Sequence, residues 1–182
     1  HPGIPLPGEL FAPERRNSQG IDLQDRGELE RVAGAGAQPL DFAPMSSPPA
    51  DQLVTRALKG FEEWSKRSVD ERAGCLERLA DLLEAERDML MRIAVQEARK
   101  TIPDALAEVR EAVDFCRYYA AQARQHLQPV ELPGPTGERN VLRMEGRGAW
   151  VGIAPWNFPL AIFLGQVSAA LAAGNSVVAK PA

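Results

Sequence analysis

From residue 50 onward, apolar positions recur at intervals of three and four, the spacing of helices with one buried face. Asp51–Ser65 carries Leu53, Val54, Ala57, Leu58, Phe61 and Trp64 near that period. Ser68-Val69-Asp70-Glu71 predicts a capping box, with serine accepting from an early amide and glutamate reaching back. Ala73, Leu76, Leu79, Ala80 and Leu83 form the face of the helix that follows, and Met89, Leu90, Ile93, Ala94 and Val95 continue it after a bend near Ala85. Thr101-Ile102-Pro103-Asp104 restarts a helix, with threonine as cap and proline at the first position. Its stripe is Leu106, Val109, Val113, Cys116, Ala120, Ala123 and Leu127, a single buried face. Glu108, Glu111 and Asp114 then read as the solvated side, with Arg110 and Arg117 available for weak ion pairs.

The pattern changes at residue 129. Pro129, Pro133, Pro135, Gly134 and Gly137 predict a loop. Glu138–Glu145 alternates, Gly146 and Gly148 bracket a turn, and Ala149–Ala154 follows, so the segment reads as a hairpin leading into the last unit. That unit is strand, turn, helix, turn, strand. Val151–Ala154 is a short apolar run, and Leu160–Ala173 is an alanine-rich apolar helix behind Pro159. Gly174-Asn175 stops the helix, and Val177–Ala179 runs into Lys180. So short a strand–helix–strand implies parallel strands, with ligands expected outside their carboxyl ends. Pro155-Trp156-Asn157-Phe158 and Lys180 stand at those ends.

Composition sets the first 50 residues apart, since eight of the 15 prolines fall there. An extended arm is expected, interrupted by one helix from Asp25 as cap to about Ala33 and stopped by Gly34 and Gly36. Arg15-Arg16-Asn17-Ser18 is its polar knot, expected as a solvated loop. The net charge of −4 in 182 residues argues against general nucleic-acid binding. Val151–Ala173, the nearest approach to a membrane span, is broken by two prolines, Asn157 and Gln166. Two cysteines make no disulfide scaffold and fit a reducing cytoplasm. Cys116, on an apolar face, and Cys75, beside one, are expected to be structural. His1 and His126 alone make neither a metal site nor a catalytic dyad, and no metal is expected.

Two residues carry candidate chemistry. Asn157 lies on the turn before a helix. Its amide and nearby backbone N–H groups could stabilise an oxyanion at a carbonyl under attack, or the side chain could simply cap the helix, which its spacing favours. Lys180 could donate to ribose hydroxyls or stand in solvent. The chain contains no G-x-G-x-x-G, so the usual pyrophosphate cradle is absent.

Pro155-Trp156-Asn157-Phe158-Pro159, then Leu171-Ala172-Ala173-Gly174-Asn175, then Lys180-Pro181-Ala182 closely resemble the aldehyde dehydrogenase superfamily, in order and at the right spacing. Glu71-Arg72, Glu97-Ala98-Arg99-Lys100 and Arg117-Tyr118-Tyr119-Ala120 add to the likeness, which covers roughly residues 50–182. Leu160–Phe163, Gly165-Gln166-Val167 and the arm Pro13–Ser18 resemble the bacterial proline utilisation A family, which joins a flavin-dependent proline dehydrogenase to an NAD-dependent L-glutamate γ-semialdehyde dehydrogenase.

The resemblance implies an α/β, aldehyde-dehydrogenase-like fold: a Pro/Gly-rich arm or linker (1–49), N-terminal helices (50–128), a loop and hairpin that is a candidate oligomerisation element (129–150), and the first β-α-β of an incomplete Rossmann-like NAD-binding domain (151–182). It implies that Asn157 donates to the oxyanion and that Ile153, Pro155, Trp156, Asn157, Lys180 and Ala182 line the NAD site. Phe158 would wall the aliphatic aldehyde, and Glu108 would face the substrate end. The implied parent is a cytoplasmic dimer with no transmembrane segment, able to associate peripherally with membranes and to carry FAD in an upstream domain. The nucleophilic cysteine and general-base glutamate of the family match nothing here, so an inactive N-terminal fragment is expected. Two rival expectations are a different aldehyde substrate and a non-catalytic nucleotide-binding or assembly module.

Overall fold

In the computed structural model, which describes residues 3–37, 40 and 46–182, a 3-10 turn (Pro7–Glu9) precedes helices α1 (Arg26–Ala37), α2 (Ala50–Trp64), α3 (Val69–Ala85), α4 (Arg87–Glu97) and α5 (Ile102–His126). Strands β1 (Val130–Leu132), β2 (Asn140–Leu142) and β3 (Ala149–Ile153) follow, then α6 (Ala161–Ala172) and β4 (Ser176–Lys180). His1, weighed above, lies outside the described residues.

Helix α5 is the spine, in contact with α3, α4 and α6. Its expected stripe is its buried face, from Leu106 and Val109 through Val113, Cys116 and Ala120 to Ala123, with Leu127 partly buried. Fully buried alanines at Ala73 and Ala80 on α3 and at Ala105, Ala112 and Ala120 on α5 alternate with larger core side chains such as Leu76, Val109 and Val113. Gly165 brings α6 close, because a Cβ there would lie 3.1 Å from the Phe115 ring. The ends form as the residues dictate. Ser68 and Glu71 make both arms of the capping box, and Thr101 accepts from the Asp104 amide. Pro103 occupies the second helical position rather than the first.

Hairpin pairing differs from expectation. The partner of β2 is not the strand after Gly148 but Val130–Leu132, assigned above to a loop, and the two are antiparallel. The alternating segment thus folds back on the residues before it, and β3 pairs instead with β4. That second pair is parallel, in the register Ala149↔Ser176 through Ile153↔Lys180. Gly174, at φ +84°, closes α6 in a double-bonded turn, with its own N–H reaching Leu171 O and that of Asn175 reaching Ala170 O. Helix α1 runs past Gly34 and Gly36, both of which were expected to stop it. A glycine lowers helix propensity by only about 1 kcal/mol, which packing against α4 can outweigh. On α2, Ala57 is buried but Val54 and Leu58 are exposed, so a third of its six-residue stripe is uncovered.

Polar residues depart most from the sequence reading. Asn17 and Ser18, expected in a solvated loop, are buried against α5. Asp114 accepts both the Ser18 N–H and its hydroxyl at 2.7 Å, and Arg117 donates to the Asn17 carbonyl at 3.0 Å. Arg117 is itself buried and pairs with Asp81 and Glu84 of α3 at 2.8 Å, not with its own helix. Burial works against its charge, but those carboxylates outweigh it and raise the pKa. Of the acidic residues on this side of α5, Glu111 is exposed as expected, but Glu108 is buried and Asp114 partly so. The helix binds the arm through Asp114 and, through Glu108, the start of α6.

Candidate active site

The end of β3 and the end of β4 lie side by side because of the parallel register. Ile153 is opposite Lys180, and the Ala154 N–H extends the ladder by donating to the Lys180 carbonyl at 3.0 Å. The chain then leaves the sheet through Pro155–Leu160 and enters α6. At this carboxyl edge Ile153, Trp156, Asn157, Phe158, Lys180 and Ala182 are exposed and Pro155 is half-buried. Ile153 and Trp156 are 62% and 79% exposed, a large apolar surface beside a lysine. The donor set here, a strand-end ammonium beside apolar and aromatic side chains, is chemically suited to the ribose end and rings of a dinucleotide.

Asn157 does not cap α6, although its spacing favoured that role. The helix has no side-chain cap from its own N-terminal residues. Glu108 supplies one instead: its Oε2 accepts from Leu160 N at 3.1 Å and Ala161 N at 2.9 Å. A carboxylate at a helix N-terminus answers both the orphan amides and the dipole. Two consequences follow. The Asn157 carboxamide makes no hydrogen bond among the described residues, and is free to donate outward. The first amides of α6, expected beside it as further oxyanion donors, are already occupied.

Glu108 is 2% exposed, and its other oxygen accepts from Lys100 Nζ at 3.1 Å. Lys100 also stands 4.7 Å from the centroid of the Phe158 ring, a cation–π arrangement. Burial, then the charge of Glu108, raises the pKa of Glu111 one turn on. Lys100 received no role from the sequence. The detectable signal was its place just before the Thr101 cap, which puts its side chain near the start of α5. Arg99, in the left-handed region at φ +56°, makes the reversal that brings it there.

The far end of α6 is held by Arg72, which is buried and donates to the carbonyls of Ala172 and Arg67, and by Trp64, whose indole N–H reaches Leu171 O at 2.9 Å. Burial lowers the Arg72 pKa. Asn175 accepts from Arg147 N and Gly148 N, tying β4 to the entry of β3. Neither cysteine belongs to this edge. Cys116 is fully buried, and burial pushes its thiol up to about 12, against the pull of Arg117. Cys75 lies on α3, where its sulfur accepts from Arg78. Among the described residues no cluster of His, Cys, Asp or Glu could hold a metal ion, and no helix is long and apolar enough to cross a membrane.

Residues 33–182 match the model of the aldehyde dehydrogenase family. The chain is 39% identical, over a 216-residue alignment, to the bifunctional protein PutA of Klebsiella aerogenes, with all of this chain and 16% of that protein covered. A solved structure of bifunctional proline utilization A superposes with a TM-score of 0.92 at 52% identity, again over all of this chain and 19% of the other. A 1-pyrroline-5-carboxylate dehydrogenase from Thermus with bound NAD gives a TM-score of 0.79 at 28% identity, covering 92% of this chain and 39% of that one. The chain thus spans less than a fifth of each of these two bifunctional relatives.

Proposed function

The chain belongs to the aldehyde dehydrogenase family, and on that footing we propose that it is part of an NAD-dependent enzyme oxidising L-glutamate γ-semialdehyde to L-glutamate in proline catabolism. The observation that carries the reading is the unengaged Asn157 carboxamide on an exposed strand-to-helix turn, beside Lys180. Similarity along the whole chain to bifunctional proline utilization A supports the substrate class. In this reading the parent also carries an FAD-dependent proline dehydrogenase and is a cytoplasmic dimer. Residues 1–49 are its arm, 50–128 the helical part, 129–150 an oligomer contact and 151–182 the start of the NAD-binding β-α-β.

The chemistry is an addition followed by hydride loss. A cysteine thiolate from outside this chain adds to the aldehyde carbon, the new C–S bond displacing the carbonyl π pair onto oxygen. Asn157 donates an N–H to that oxygen, where a preorganised neutral donor is worth about 3 kcal/mol. NAD supplies the hydride acceptor. As the carbonyl re-forms, the Asn157 bond weakens, and water then displaces the thiol to give the acid. Lys180 would donate to ribose hydroxyls, Ile153, Pro155, Trp156 and Ala182 would hold the cofactor, and Phe158 would wall the aliphatic chain. Glu108, expected at the substrate end, acts from behind the turn. Neither cysteine here can serve as nucleophile, so the chain alone turns nothing over.

The test is NAD reduction by the full-length protein with glutamate semialdehyde and with simple aliphatic aldehydes. A higher kcat/KM for the semialdehyde is expected. Equal values would contradict the substrate, and no reduction with either would contradict the reaction.

A further inference from the structure

The turn that carries Asn157 has little structure of its own. Within it, the Phe158 N–H reaches the Pro155 carbonyl at 3.3 Å. Its fixation comes from another helix, through Glu108. One oxygen of that buried carboxylate takes two amides at the start of α6, and the other takes Lys100, whose ammonium lies over the Phe158 ring. A single carboxylate therefore holds both flanks of Asn157.

The amide of Leu160 makes the arrangement more than structural. An asparagine at the N-cap accepts from the amide two or three residues on. For Asn157 the first of these is Pro159, which has no N–H, leaving Leu160. Glu108 already occupies that N–H. The two side chains compete for one donor, and the winner decides whether Asn157 folds back on its own helix or faces outward.

We propose that Glu108, with Lys100, is a positioning residue: it occupies the Leu160 amide so that Asn157 stays free to meet the substrate oxygen. Burying a carboxylate costs several kcal/mol unless its partners are good, and here two amides and an ammonium surround it. With 2% exposure and both oxygens engaged, Glu108 acts through Asn157 rather than on substrate. The inference rests on the reading of Asn157 as oxyanion donor.

The experiment is a double-mutant cycle in the full-length protein, following NADH formed from glutamate semialdehyde. Glu108→Gln should lower kcat about tenfold or more, as expected for a misplaced group, while the KM for NAD stays within about twofold. Combined with Asn157→Ala, it should add less than about threefold to the Asn157→Ala loss. Multiplying losses would overturn the positioning role and leave the oxyanion reading intact. If Asn157→Ala alone leaves kcat unchanged, the oxyanion reading falls and the inference falls with it. Should Glu108→Gln fail to fold, Lys100→Met carries the cycle: it leaves the two amides on Glu108 Oε2 but removes the ammonium from both Oε1 and the Phe158 ring, and a kcat loss that multiplies with that of Asn157→Ala would overturn the proposal. Hydrogen exchange at Leu160 and Ala161 should quicken at least about tenfold in Glu108→Gln while α5 stays protected. Unchanged exchange there would overturn the proposal.

Discussion

Arg117 donates to the backbone carbonyl of Asn17, one hundred positions earlier in the chain, at 3.0 Å. The same guanidinium holds Asp81 and Glu84, so one buried side chain ties the N-terminal arm to α3 and α5. Replacing Arg117 with methionine keeps the apolar stem but leaves these acceptors unmatched. A loss of about 3 kcal/mol is expected, the usual consequence of removing one partner of a buried charge pair. The denaturant midpoint of the chain measures it, and a shift below about 1 kcal/mol would show that the arm docks without this contact.

The two thiols should react very differently. Cys116 is held protonated by burial, with its pKa raised to about 12, and is shielded on all sides. Cys75 is half-exposed. In the native chain near pH 8, an aromatic disulfide reagent should therefore titrate Cys75 alone, and Cys116 should appear only with denaturant. Two equally fast thiols would contradict the packing of α5 against α3.

Two glycines make opposite predictions. A Cβ on Gly146 would meet the Gly174 carbonyl oxygen at 2.5 Å, and a backbone atom cannot move aside as a side-chain tip can. Gly146→Ala should cost about 2 kcal/mol or more. Gly60, inside α2, has open space where its Cβ would stand. Gly60→Ala should therefore stabilise by about 0.5–1 kcal/mol through helix propensity. Urea unfolding of the two variants checks the signs, and equal shifts would undermine the fit between the β3 entry and the end of α6.

The helices were legible because their information is periodic. The stripe on α5 needed only spacing, and the caps at Ser68 and Thr101 needed only local chemistry. What could not be read locally was the fate of each polar side chain. Glu108, Asp114 and Arg117 occupy positions that a lone helix would present to water, and only the return of the arm and of α6 makes them interior. Asn157 is the sharpest case. Capping and outward donation look alike from its neighbours, and the choice depends on a carboxylate 52 positions before Leu160. The hairpin was misassigned for a related reason, since β1 has only three residues, all exposed, between Pro129 and Pro133, too few for their alternation to announce a strand.

The central claim is that the free amide of Asn157 stabilises negative charge on the aldehyde oxygen. Single-turnover formation of NADH at 340 nm, with saturating NAD and glutamate semialdehyde, isolates that step in the full-length protein. For Asn157→Ala the rate should fall about 10²-fold or more while the Kd for NAD changes little. An unchanged rate would contradict the account.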